Sequence, residues 1–107
     1  MERGEIRNLL TELINSLVAG KFLYIYTRDK NKRLSADEMK TVIYDYPGLL
    51  THPPDTAFDN FRLYGNESDD GITIEFNLWY DNSESDLTMT MTVYSSGEYS
   101  IEDIHVL

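Results

Sequence analysis

Histidine and carboxylate side chains are the groups in this sequence that could move a proton or hold a metal ion. There are only two histidines, His52 and His105. His52 stands beside two prolines in a connecting segment, whereas His105 follows Asp103 by two residues, so that a carboxylate could orient its ring. A single histidine of this kind is more often bonded to a neighbouring carboxylate or backbone group than catalytic. We therefore expect no catalytic residue and no enzyme activity.

The carboxylates do not match a known metal site. An EF-hand loop needs oxygen ligands at positions 1, 3 and 5, a glycine at position 6 and a glutamate at position 12. Loops that begin at Asp29 or Asp81 have leucine or aspartate at the sixth position and lysine or threonine at the twelfth. The sequence also lacks cysteine, an H-E-x-x-H motif and a phosphate-binding glycine loop. We expect neither a metal nor a cofactor.

The charge is concentrated in the second half of the chain. The 19 acidic and 9 basic side chains give a formal net charge of −10. Residues 1–53 carry 7 acidic and 8 basic side chains, whereas residues 54–107 carry 12 acidic side chains and a single basic one, Arg62. Such a field repels nucleic acid and anionic membranes, which bind through Lys and Arg, and it attracts a basic partner. The alternative is that the acidity only keeps the domain soluble.

Length and composition indicate one globular domain over residues 1–107. A hydrophobic content of 41% with 12% aromatic residues excludes a disordered acidic tail. The absence of cysteine excludes a disulfide framework and a thiolate metal site. No apolar stretch approaches the ~20 residues of a membrane-spanning helix, and the first residues do not form a signal peptide. These features predict a soluble, cytoplasmic protein.

Two amphipathic helices are predicted in the first half of the chain. The second begins with a capping box of Ser35 and Glu38 and ends at Pro47-Gly48. The first ends at Gly20, which favours the left-handed conformation found just past a helix end. Residues 22–27 are apolar on both parities, so they could form either a strand or a further helical turn. The apolar residues that place the first helix repeat on one face: Ile6, Leu9, Leu10, Leu13, Ile14, Leu17 and Val18.

The hydrophobic period changes to two in the second half of the chain. Strands are predicted at Phe61–Tyr64, Ile72–Trp79, Leu87–Tyr94 and Tyr99–Val106, and a break in parity predicts a bulge near Asp103. This alternation is typical of an antiparallel sheet with one face on the core and the other in water. The sequence therefore predicts an α+β fold, in which N-terminal helices pack on one face of a C-terminal antiparallel meander.

The polar face of this sheet is the candidate binding surface. Trp79 and Tyr94 fall on it, among carboxylates of the same face and of the hairpin turns. Exposed aromatic side chains within a charged rim are typical of protein-binding surfaces, although a helical segment could instead bury Trp79. The candidate partner-binding residues are Glu67, Asp69, Asp70, Glu75, Trp79, Asp81, Glu84, Asp86 and Tyr94.

The C-terminal half resembles an uncharacterised family of small bacterial domains. Members of that family have a Gly-Arg pair where this chain has Ser83-Glu84, so an anion-binding role of that arginine does not carry over. The layout also resembles the α+β roll of the cystatin or nuclear-transport-factor type. The residues that carry the family resemblance are Pro53-Pro54, Leu78-Trp79, Ser85-Asp86-Leu87-Thr88 and Ile101-Glu102-Asp103-Ile104-His105-Val106-Leu107.

In size, charge and architecture the chain is similar to immunity proteins of contact-dependent growth inhibition systems. Such proteins neutralise toxin domains that are often basic nucleases. The resemblance implies a non-enzymatic protein whose partner is a cognate basic toxin domain. The alternative is a small-ligand-binding or enzymatic roll domain, with a pocket between sheet and helices that uses His105, Asp103 and tyrosines.

Overall fold

The computed structural model describes residues 2–65 and 71–106. Within these ranges no helix has the length and apolar character needed to cross a membrane. The helices are α1 (Arg3–Val18), α2 (Phe22–Arg28), α3 (Ala36–Asp45) and a 3₁₀ helix (Asp55–Asp59). The strands are β1 (Arg62–Gly65), β2 (Gly71–Tyr80), β3 (Ser83–Tyr94) and β4 (Tyr99–Val106).

The two predicted helices correspond to α1 and α3. Gly20 follows α1 with a φ of 75°, as its position after the apolar repeat predicts. At the start of α3, the Ser35 hydroxyl accepts a hydrogen bond from Glu38 N at 3.0 Å, and Ser35 N donates to Glu38 Oε1 at 3.0 Å. The segment left open between strand and helix is helical, because α2 buries Phe22 and Ile25 on one face.

The four strands form one antiparallel sheet in the order β1-β2-β3-β4. Between β3 and β4 the register slips by one residue, since Thr90 lies opposite Asp103 whereas Met91 lies opposite Ile101. The bulge predicted near Asp103 is therefore confirmed. The turn that joins β2 to β3 has positive φ angles at Asp81 and Asn82, the conformation that a two-residue hairpin requires.

The helices pack on one face of the sheet and bury a single apolar cluster. Strand alternation points one side-chain set of each strand into this cluster and the other set to the outer sheet face. The α+β fold with helices on a meander is thus confirmed. Fully buried members of the cluster come from both layers and include Leu10, Ile14, Ile25, Ile43, Ile74, Met89, Met91 and Ile101.

Candidate functional site

The predicted binding residues are only partly brought together. Glu67, Asp69 and Asp70 lie outside the described residues. Glu75 lies in the middle of β2 on the outer sheet face, where it is opposite Thr90 of β3. We call the residues at and next to the turn from β2 to β3 the acidic hairpin end: Trp79, Asp81, Glu84 and Asp86.

The segment that follows α3 holds Asp81 in place. Leu49 N donates to Asp81 Oδ1 at 3.1 Å, and Asp81 N donates back to the Leu49 backbone oxygen at 2.8 Å. Thr51 adds a hydroxyl that accepts from Asn82 N at 2.9 Å. The backbone of Gly48 passes directly beside the Asp81 carboxylate. The turn is therefore fixed by the segment behind it, and Asp81 stays exposed.

Asp86 is fixed by a tyrosine that the sequence reasoning did not include in the site. The Tyr46 hydroxyl donates a short hydrogen bond to Asp86 Oδ1. This hydrogen bond, together with burial, raises the pKa of Tyr46, because both favour the neutral phenol beside a carboxylate. The Tyr46 ring packs on Tyr80, with ring centroids 4.6 Å apart. Nothing in the sequence links Tyr46 to a residue 40 positions away.

Glu84 and Glu75 belong to one hydrogen-bond network on the outer sheet face, and Asn77 is its centre. Asn77 Nδ2 donates to Glu84 Oε2 at 2.8 Å, and Asn77 Oδ1 accepts from Arg62 at 3.1 Å. Arg62 also pairs with Glu75 at 3.2 Å, and Tyr64 donates to the same carboxylate at 3.1 Å. Glu75 therefore has a cationic partner in Arg62, whereas the partner of Glu84 in this network is an uncharged amide.

Trp79 is half-buried against the core and borders a recess of about 240 Å³. The 3₁₀ helix forms one side of this recess through Ala57, and Pro54 precedes it. Asn77 and Glu84 form the polar side. The connection between α3 and β1 thus covers part of the indole, and the rest stays accessible beside a carboxylate.

The expected exposure of Tyr94 is wrong. Its side chain is only 8% exposed, because the loop after α2 folds over this end of the outer sheet face. Asn31 Nδ2 donates to the Tyr94 hydroxyl at 2.9 Å, and Lys30 Nζ lies 4.1 Å from the ring centroid. Alternation placed Tyr94 on the correct face of β3. It gave no information about a loop that covers that face.

The His105 and Asp103 pair lies on the outer sheet face and not between sheet and helices. Ile104 between them is buried in the core, and strand alternation turns both neighbours away from it. His105 Nδ1 lies 3.0 Å from Asp103 Oδ2, without a hydrogen bond of good geometry. His52 is distant in the chain and contacts Asn15 Oδ1 at 3.0 Å. A pocket between sheet and helices that uses His105 and Asp103 is therefore ruled out by position.

A larger groove of about 670 Å³ lies between the helices and the β3–β4 turn. Ile25 and Tyr99 belong to its buried lining. Charged residues of both signs lie along it, among them Glu12, Arg28 and Glu98. In the described part of the chain, no three histidine or carboxylate side chains are grouped so that they could hold a metal ion.

Comparison with known proteins identifies a family without a known activity. The sequence-family model described as "Domain of unknown function (DUF7668)" matches residues 14–107. No curated protein and no solved structure matches the chain. The match begins within α1 and includes every residue of the acidic hairpin end.

Proposed function

The chain belongs to the DUF7668 family, and we propose that it is a non-enzymatic immunity protein that binds and neutralises a cognate basic toxin domain. It would act in the cytoplasm, as immunity proteins of contact-dependent growth inhibition do. The observation that carries the proposal is the acidic hairpin end, where three exposed carboxylates follow a half-buried tryptophan in one hairpin and one of them, Glu84, lines the same recess as the indole. Its members are Trp79, Asp81, Glu84 and Asp86.

The electrostatic part of the proposal rests on a strongly acidic chain with a net charge of −10. Complementary fields steer a basic partner and raise association rates to ~10⁸–10⁹ M⁻¹s⁻¹ at low salt. Rim charges alone do not supply the roughly −12 kcal/mol of a nanomolar complex. Buried contact area must supply the rest, and Trp79 beside its recess is suited to this because aromatic anchors dominate interface energetics.

The carboxylates of this surface are already ordered in the free protein. Asp81 is fixed by Leu49 N, and Asp86 by the Tyr46 hydroxyl. Glu84 is fixed by Asn77. A partner would therefore meet charges that lose little side-chain entropy on binding, which increases the net affinity gained from each contact. Tyr94 does not belong to this surface, because it is covered.

A second candidate is a small-ligand-binding or enzymatic domain that uses the groove between the helices and the β3–β4 turn. The observation that favours it is the groove's volume of about 670 Å³, within the range of ligand pockets. His105 and Asp103 would take no part, because they lie on the outer sheet face. Glu12, Lys21, Arg28 and Glu98 would be the charged groups along the ligand site.

The decisive experiment is to co-express the chain with the product of the neighbouring gene and test whether the two copurify. If they do, the Asp81→Lys/Glu84→Lys variant should associate more slowly, with a weaker dependence on salt. The matched control is Glu12→Lys/Glu98→Lys, which changes the net charge equally but lies in the groove. An equal loss of association rate in both variants would refute the assignment of partner binding to the acidic hairpin end. Failure to copurify would count against the immunity function itself.

A further inference from the structure

The outer edge of the sheet is open along most of β4. The sheet order places β4 at an edge, and only its first residues have a neighbour there. Asp29 bridges to Tyr99, and Ile101 N donates to Asp29 Oδ2 at 2.8 Å. Further along, Ile104 N also points away from β3, since it donates to the carboxylate of its own neighbour, Asp103, at 2.8 Å. Among residues 2–65 and 71–106, no strand pairs with this edge from Asp103 to Val106.

An apolar groove of about 530 Å³ runs beside this open edge, between α3 and β4. Leu34 and Val42, both half-buried, form one wall, and Ile104 forms the other. Val106 points to the same side of β4 as Ile104 and is 52% exposed. A strand added to this edge would therefore place every second side chain over the apolar side chains of the groove.

The border of this groove is acidic. Asp37, Glu38 and Asp45 line it from α3, and its lining contains no lysine or arginine. Asp103 is exposed on the other side of the strand. Natural proteins protect sheet edges with charges, because a bare edge pairs with other chains. Here the charges along the groove are negative, and Arg33, which lies near this edge, is already paired with Glu102 at 2.6 Å. The groove therefore repels acidic segments and admits basic ones.

We propose that the β4 edge and the α3–β4 groove bind an extended basic segment of a partner protein as an additional strand. Main-chain hydrogen bonds to the Ile104 and Val106 backbone would supply affinity, and alternate apolar side chains would cover Leu34 and Val42. Basic side chains between them would meet the α3 carboxylates. A second copy of this chain is a poor occupant, because each copy carries a net charge of −10. This site is separate from the acidic hairpin end and does not depend on the partner being a toxin.

A synthetic probe tests the proposal with the full chain. The probe is an acetylated and amidated octapeptide of alternating valine and lysine, titrated against the isotope-labelled protein and followed by NMR. The largest shifts should occur at the amides of Asp103 to Val106 and along α3. The Asp37→Lys/Asp45→Lys variant should bind roughly tenfold more weakly, because two attractive contacts become repulsive. Glu12→Lys/Asp55→Lys changes the net charge equally at exposed positions of α1 and the 3₁₀ helix, away from both acidic surfaces, and should bind as the parent does.

Two altered peptides separate strand addition from general charge attraction. In an added strand only every second amide faces β4. Methylation of one alternate set of peptide nitrogens should therefore abolish binding, whereas methylation of the other set should leave it nearly unchanged. A peptide with glutamate in place of lysine should not bind. Equal binding of the two methylated peptides, or an equal loss in both charge variants, would overturn the proposal. Neither result would bear on whether the hairpin end binds the neighbouring gene's product.

Discussion

The Tyr80 hydroxyl, on β2, donates a hydrogen bond of 2.6 Å to the backbone oxygen of Ile43 on α3. Tyr99, on β4, makes the equivalent contact with the Ile25 backbone oxygen of α2, at 3.1 Å. Each phenol therefore joins the sheet to a helix through a buried polar group. Both contacts require a protonated hydroxyl, because a phenolate has no hydrogen to donate to a carbonyl.

These two tyrosines should make the fold sensitive to alkaline pH. Burial raises the pKa of Tyr80 and of Tyr99 from 10.0 to about 12. Because the unfolded state ionises at a lower pH than the folded state, their contribution is complete below pH 10. It is lost as the pH rises from 10 to 12. Each rise in pKa corresponds to ~2–3 kcal/mol. Urea unfolding at pH 8, 10.5 and 11.5 should show this loss.

Phenylalanine substitutions provide the control for this prediction. Tyr80→Phe removes a net hydrogen bond of ~1 kcal/mol at neutral pH, but it also removes the group that ionises. The stability difference between parent and variant should therefore shrink above pH 10. Tyr44→Phe alters an exposed ring and should leave the alkaline profile as it is in the parent. If the stability of the Tyr80→Phe/Tyr99→Phe variant fell with pH as steeply as that of the parent, the alkaline loss could not be assigned to these two tyrosines.

Asp29 should be one of the most sensitive positions in the chain. Its side chain is 2% exposed and accepts hydrogen bonds from Asn31 N, Lys32 N, the Ser100 hydroxyl and Ile101 N. Asp29→Ala removes the acceptor of two buried donors, the Ser100 hydroxyl and Ile101 N, and should lower the free energy of unfolding by about 3 kcal/mol. Asp29→Asn retains one acceptor oxygen and should lower the free energy of unfolding by less.

Urea denaturation measures this effect, with Asp45→Ala as the matched control. Asp45 is an exposed carboxylate on α3, so its loss should change stability by under ~0.5 kcal/mol. Similar losses for Asp29→Ala and Asp45→Ala would show that the buried hydrogen bonds around Asp29 contribute little.

The layers of the fold could be predicted because they depend on local periodicity. Seven apolar residues on one helical face and a period of two after Phe61 require a helix-on-sheet arrangement. Even the bulge near Asp103 appears in the sequence as a break in parity. Residues 22–27 could not be assigned, since a short segment that is apolar on both parities fits helix and strand equally. Only the packing of Phe22 and Ile25 on the core decides it.

The candidate site was harder to predict because it depends on contacts between distant segments. Asp29 stands in a mostly basic, polar stretch, and nothing local indicates that it is buried beside the first residues of β4. The same loop covers Tyr94, which alternation alone leaves exposed. For Trp79 the sequence was compatible with either burial or exposure, and in the structure the ring is half-buried. Strand parity predicts the face of a side chain, and only the tertiary structure decides what covers that face.

His105→Gln tests directly whether the His105 imidazole takes part in the function, since neither the immunity proposal nor the groove candidate gives it a role. On the outer sheet face, His105 has the Asp103 carboxylate within 3.0 Å, and glutamine keeps a polar group of similar reach. If the protein acts by binding, the variant should protect cells against the partner toxin as well as the parent does. If His105 were a general acid or base, turnover would fall by ~10²–10⁴-fold with the fold intact. A thermal melt run in parallel identifies a variant that fails because β4 has separated from the sheet.

Gly48 should be required for the ordered acidic hairpin end, and a double-mutant cycle with Asp81 tests this. Gly48 has a φ of 101°, and a Cβ there would stand 3.1 Å from Asp81 Cγ and closer still to its carboxylate oxygen. Gly48→Ala should therefore destabilise the fold by ~1–2 kcal/mol through backbone strain, with a further cost from displacing Asp81. Asp81→Gly removes the obstructing side chain and suits the positive φ of 51° at that position. In the Asp81→Gly background, Gly48→Ala should therefore lower the free energy of unfolding by less than it does in the parent. The difference is the cost of the clash with the Asp81 side chain. Additive costs in the cycle would show that Gly48 serves only its own backbone conformation.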